Sequence, residues 1–178
     1  MAMRIWTALA FAALVNTGAG IAADRSALKK LDDIANFSSC PRCDLTGALI
    51  QGRLFRLANW PGADLSGAKL DNSDLSGAIL WDANFTRASM TFTNLSGAQL
   101  KGATMSGANL QFAWLLDAQA QNVNFGDADL TNARVRGMQV QGADLSRVKG
   151  LGKREFAEMC ADNQTKAPPG EWIPRCSQ

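Results

Sequence analysis

The chain has 178 residues, 18 Lys and Arg against 16 Asp and Glu, and 47% hydrophobic residues. That length is ample for one domain with a buried core, and a formal net charge of +2 gives no electrostatic reason to expect nucleic acid as a partner. The sequence contains no His, which removes at once the commonest general base, the commonest zinc ligand and every Ser-His or Cys-His dyad.

Residues 1–23 read as a secretory signal peptide. Met1-Ala2-Met3-Arg4 is a short cationic start, Ile5 to Val15 is an uncharged apolar run, and small residues lead to Ala22 and Ala23, where cleavage is expected. The run is shorter than the roughly 20 apolar residues that a membrane span needs, so no span is expected after cleavage. The mature chain then begins near Asp24, and export makes it periplasmic or secreted. Residues 24–42 read as an N-terminal helix and cap, because Leu28, Leu31 and Ile34 fall on one face of a helix over Ser26 to Asn36. Four cysteines remain, Cys40, Cys43, Cys160 and Cys176. An even number in an oxidising compartment reads as disulfides. Three pairings are possible, and spacing favours Cys40–Cys43 and Cys160–Cys176.

From Cys43 to Arg147 the chain divides without a gap into 21 pentapeptides, and the central residue of every one is apolar, from Leu45 and Ile50 to Val140 and Leu145. Chance would produce that pattern about once in ten million tries. Two positions earlier stands a small residue, Ala in 15 of the 21 repeats, and the last position holds 10 of the 16 glycines. On an α-helix, a step of five residues rotates the apolar position by about 140° and leaves no stripe. On a flat strand an odd period sends it to alternate faces. Both conflicts vanish if the chain turns a corner once per pentapeptide, with Gly at the bend. Repeated corners of one hand make a solenoid whose open ends need caps.

Ala63-Asp64-Leu65-Ser66-Gly67, Ser73-Asp74-Leu75-Ser76-Gly77 and Ala108-Asn109-Leu110-Gln111-Phe112 resemble the pentapeptide-repeat family. The resemblance implies an all-β solenoid: a right-handed quadrilateral β-helix with 20 residues per coil, here about five coils with short α-helical caps. At about 4.8 Å per coil the rod is about 25 Å long. One inward column then reads Leu45, Leu65, Phe85, Met105, Phe125, Leu145, and the next Ile50, Leu70, Met90, Leu110, Leu130. Arg53 and Met138 depart from the small-residue slot, and Trp60 is large for a central one.

Residues 148–178 read as a C-terminal helix, over Lys153 to Met159, followed by a disulfide-stapled tail. This tail and the Ser39-Cys40-Pro41-Arg42-Cys43 start are similar to those of exported proteobacterial members of the family. With the roughly 25 Å of rod that the resemblance implies between the two ends, cross-pairing would require the tail to fold back the full length, since a disulfide needs Cα atoms within about 7 Å. A Cys160–Cys176 bridge closes a loop worth about 3 kcal/mol in the chain-entropy picture.

Three features invite a functional reading. Cys40-Pro41-Arg42-Cys43 has the form of a redox or zinc site, but it leads into a solenoid rather than a βαβ unit and has no further ligands nearby. Asp44, Asp64 and Asp144 share an outward column with Asn84 and Asn124, which the repeat itself favours for local hydrogen bonds. Neither a metal nor any other cofactor is expected. The third feature is apolar. Phe92 and Phe112 stand 20 residues apart in outward slots, with Trp114 and Leu116 outward on the next side, while Trp81 and Ile79 face out elsewhere. Phe92, Phe112, Trp114 and Leu116 form the candidate partner-binding patch; the alternative is that they are covered or merely stack along the rod.

The leading expectation is therefore a non-enzymatic exported scaffold, a monomer or weak oligomer, acting through an unknown protein partner. Family members that protect gyrase by imitating DNA suggest an alternative. Residues 43–147 carry nine Asp and eight Lys and Arg, too balanced to mimic a duplex. A thiol-redox protein working through Cys40 and Cys43 is the third reading, and it lacks a base and a pocket.

Overall fold

The computed structural model describes residues 39–176; the signal peptide and the Ser26–Asn36 helix expected from the sequence lie outside them. The backbone hydrogen bonds define the architecture. Leu45 N–H donates to the Asp64 carbonyl at 2.7 Å, and Asp64 N–H donates to the Cys43 carbonyl at 2.8 Å. The same exchange recurs at every pentapeptide, giving parallel bridges offset by 20 residues from Ser39–Asn59 to Asp129–Lys149. Ser39, Asp44, Leu49 and Leu54 begin four successive ladders, so each coil has four sides. A side is too short for an extended strand, and one bridged residue per coil is all it contributes.

Between sides, Ala48 N–H donates to Leu45 O at 3.0 Å and Ala68 N–H to Leu65 O at 3.0 Å, closing a four-residue turn. In the Phe125–Ala128 turn the second residue, Gly126, has positive φ at 44°, whereas in most of these turns only the third does, for example Gly67 at 64°. That is the signature of a type II turn, in which this position favours glycine. The turn rotates each new side so that its first and third residues face inward again. All 21 central positions are buried, Trp60 and Met105 among them, and Met138 is fully buried in the small-residue slot. Arg53 is exposed at the opposite extreme. At that end Trp60 meets Phe55 edge-on, with ring centroids 4.7 Å apart.

The repeat stops at Gly150, where φ is 80° and an added Cβ would strike the Thr131 backbone. Helix α1, Lys153–Ala157, comes next. Glu155 accepts the Gly152 N–H at 3.0 Å, and Phe156 and Met159 join the core. The chain then rejoins the ladder with longer offsets, Gln139–Cys160 and Asp144–Lys166. Cys160 and Cys176 are paired at disulfide distance with Cα atoms 4.7 Å apart, and Cys40 and Cys43 with Cα atoms 5.6 Å apart.

The outward Asp and Asn residues bond locally. Asp64 accepts the Ser66 N–H at 2.9 Å and Asn84 the Thr86 N–H at 3.0 Å, and Asp64 also accepts Asn84 Nδ2 at 3.1 Å. Asp71 instead reaches the next coil, accepting from Ser89 Oγ at 2.6 Å and from Thr91 N and Oγ1 at 3.0 and 2.6 Å. Partial burial opposes its ionisation, but these donors together outweigh it and hold the carboxyl below its ordinary value. Asp129 is lowered by Thr131 and Gln111, and Asp144 by Ser146.

Two outcomes are expected. Leu95→Ala, a cavity at a fully buried column position, lowers unfolding free energy by about 2–5 kcal/mol in urea titrations. A folded carboxyl held below its unfolded value stabilises at pH above that unfolded value, and the contribution disappears as pH falls through the folded one. The urea midpoint should therefore hold near neutrality and drop below pH 3.8, the ordinary value for Asp71. Asp71→Asn should make that drop shallower.

Candidate partner-binding face

Phe92 and Phe112 are third residues of their turns: Thr93 N–H donates to Met90 O at 3.2 Å and Ala113 N–H to Leu110 O at 3.0 Å. Both accordingly have positive φ, 55° and 59°, which costs a non-glycine residue about 1–2 kcal/mol. Their side chains leave the same corner in consecutive coils. The rings stack, centroids 4.8 Å apart and planes within 5°, a distance set by the coil spacing. They nevertheless remain 55% and 40% exposed. No described residue covers them.

Trp114 and Leu116 lie on the next side, flanking buried Leu115. Trp114 is 44% exposed, and Arg134, its bridge partner in the following coil, places its guanidinium carbon 5.3 Å from the indole centroid. Leu116 is half-buried and lines an open cleft of about 420 Å³ beside α1. The structure thus stacks Phe92 on Phe112, sets Trp114 under an arginine on the adjoining side, and turns Leu116 toward the helix. Trp81 is exposed on a different side. Sequence reasoning missed Arg134, although its 20-residue offset from Trp114 marked it as a column neighbour. It also missed exposed Leu54, Leu57 and Trp172.

The remaining candidates offer less chemistry. Cys40 and Cys43 are buried, whereas a working redox dithiol needs an accessible sulfur. Among the described residues no group of three or more Cys, Asp or Glu could hold a metal ion, and no helix is long and apolar enough to cross a membrane.

The sequence matches the family pattern described as Pentapeptide repeats over residues 43–82, 83–115 and 117–147, in eight copies. Solved structures similar to the chain include a pentapeptide repeat protein of the Arabidopsis thaliana thylakoid lumen. It is 26% identical with a TM-score of 0.42, the match covering 64% of this chain and 71% of that one. Rfr23 from the cyanobacterium Cyanothece is 27% identical with a TM-score of 0.31, over 79% of this chain and 99% of that one. QnrB1, a plasmid-mediated fluoroquinolone resistance protein, is 16% identical with a TM-score of 0.31, over 77% and 79%. No curated protein matches the chain.

A pair of exposed aromatics in left-handed backbone contributes little to folding. Phe92→Gly and Phe112→Gly each relieve the backbone while losing a stack of about 0.5–1.5 kcal/mol. Each should shift the urea-derived stability by less than about 1 kcal/mol, several-fold less than a core Leu→Ala change.

Proposed function

This chain belongs to the pentapeptide-repeat family, a family of right-handed quadrilateral β-helices, and from that premise we propose that it is an exported, non-enzymatic scaffold that holds a partner protein on its outer surface. The observation that carries this reading is the exposed Phe92–Phe112–Trp114 group. Phe92 and Phe112 sit in solvent at turn positions where they strain the backbone, Trp114 is exposed on the adjoining side, and none of the three serves the core. Contiguous patches of this kind mark interaction sites, and buried aromatic anchors dominate protein interfaces.

The finer parts of the reading are proposals of the same kind. The rod comprises about five coils, closed beyond Lys149 by the helix and tail that follow. Both cysteine pairs are structural bridges formed after export by the signal peptide 1–23. The disulfide-distance cysteines fit a compartment outside the cytoplasm. The near balance of charge in residues 43–147 speaks against imitation of DNA, and burial of Cys40 and Cys43 against redox exchange.

A photo-crosslinking residue at position 112 of the exported protein tests this directly. Discrete protein adducts should form in the periplasm and be competed by excess wild-type protein but not by the Phe112→Ser, Trp114→Ser variant. Absence of adducts, or equal competition by the variant, would end the reading.

A further inference from the structure

The side that bears Trp114 has a second tier. Trp114 and Leu116 flank buried Leu115, and Arg134 and Arg136 flank buried Val135 one coil further on. The surface therefore presents two apolar groups and, about 4.8 Å away along the rod, two guanidinium groups. Arg134 lies against the Trp114 ring, a cation–π contact that pre-orients its head group. Both arginines are exposed, and neither takes part in any ion pair among the described residues.

The charges opposite these arginines are already committed. Arg134, Arg136 and Leu116 line the cleft together with Arg154, Glu155 and Glu158 from α1 and its C-cap. Glu155 accepts the Gly152 N–H, and Glu158 pairs with Arg154 at 3.6 Å. Two guanidiniums are thus left without a carboxylate at the edge of an exposed aromatic corner. Guanidinium forks are matched by carboxylates, which they bind through paired hydrogen bonds.

We propose that this side binds an acidic peptide segment of the partner protein. An apolar residue of the segment seats on Phe112 and Trp114, and its carboxylates bind Arg134 and Arg136. This rests on the scaffold reading and specifies the chemistry of what is held. A second copy of the chain docked symmetrically with its two-fold axis at this arginine pair would bring Arg134 and Arg136 against their own equivalents, and like charges across an interface repel. A sugar ring stacks on a free aromatic face, whereas Phe92 and Phe112 have spent their facing surfaces on each other. An anionic membrane needs a broad basic surface, and residues 43–147 carry one more acidic than basic residue.

The test is selection of a displayed library of random linear peptides on the full exported chain, with the enriched peptides resynthesised and their affinities measured. Enriched sequences should place Asp or Glu beside one large apolar residue, and binding should weaken as salt rises. Arg134→Gln with Arg136→Gln should lower the affinity at least about tenfold and erase the acidic preference. Phe112→Ser with Trp114→Ser should erase the apolar preference, and all variants should still unfold in one cooperative urea transition. No enrichment, enrichment indifferent to charge, or unchanged affinity in the double-arginine variant overturns the proposal. Arginine-dependent binding of oligogalacturonate or phosphatidylglycerol vesicles instead of peptides also overturns it, as does dimerisation that Phe112→Ser abolishes. If position-112 adducts persist undiminished in the double-arginine variant, the scaffold reading stands and the acidic segment falls. If no adducts form at all, the scaffold reading itself fails.

Discussion

The structure depends on one constraint: each backbone hydrogen bond between coils joins residues about 20 apart, so every side chain stands directly over its counterpart in the next coil. The turn after each central residue, type II at most corners, makes this possible by returning the next side to the same inward orientation. Given that register, a column of Leu, Met and Phe becomes a continuous core, although no stretch of this chain between residues 39 and 149 is a helix or an extended strand. The same register applies outside. An outward residue has two fixed neighbours, one above and one below, and whatever occupies those three positions must be compatible at a separation of about 4.8 Å.

The corners show how that compatibility is met. Asp82 and Asp117 project from their turns over Gly102 and Gly137 of the following coils, where an added Cβ would strike them. A side chain at one corner is accommodated by its absence at the next. The Phe92–Phe112 corner departs from this alternation, since two bulky residues succeed one another and fit only because flat rings can stack at the coil spacing. The departure strains two backbone positions and leaves both rings wet. A sequence shaped only for folding would place Gly or Asn there, as it does at most other corners.

The core was legible in the sequence because the apolar period is unbroken, from Leu45 to Leu145, and a period of five admits one geometry. The stacked phenylalanines were legible for the same reason, through their 20-residue offset. The path of the chain beyond Gly150 was not. Helix α1 inserts residues between ladders, so Cys160 and Lys166 pair at offsets that no longer equal 20, and the pattern offers no register from which to read them. The cation–π partner of Trp114 was missed for a different reason. Arg134 sits in the correct column, but a polar residue in an outward slot carries no signal until the direction of its side chain is known. Leu54 and Leu57 were overlooked although the register shows them, since they fill the same outward slots of the pentapeptide as Trp114 and Phe112.

Stability in such a rod is a sum of contacts between adjacent coils, and this separates the fold from the function. Trp114 and Arg134 make their contact outside the backbone ladder, while Leu115 and Val135 beneath them belong to the core. Outward residues can therefore change without disturbing the column below, provided the corner spacing is respected. The family resemblance, carried by the inward positions, fixes the architecture and leaves the ligand open. Among the outward residues that break the repeat's preference for short polar groups, Phe92, Phe112, Trp114 and Leu116 gather on two adjacent sides and carry the proposed partner face, whereas Leu54, Leu57 and Trp81 stand elsewhere on the rod.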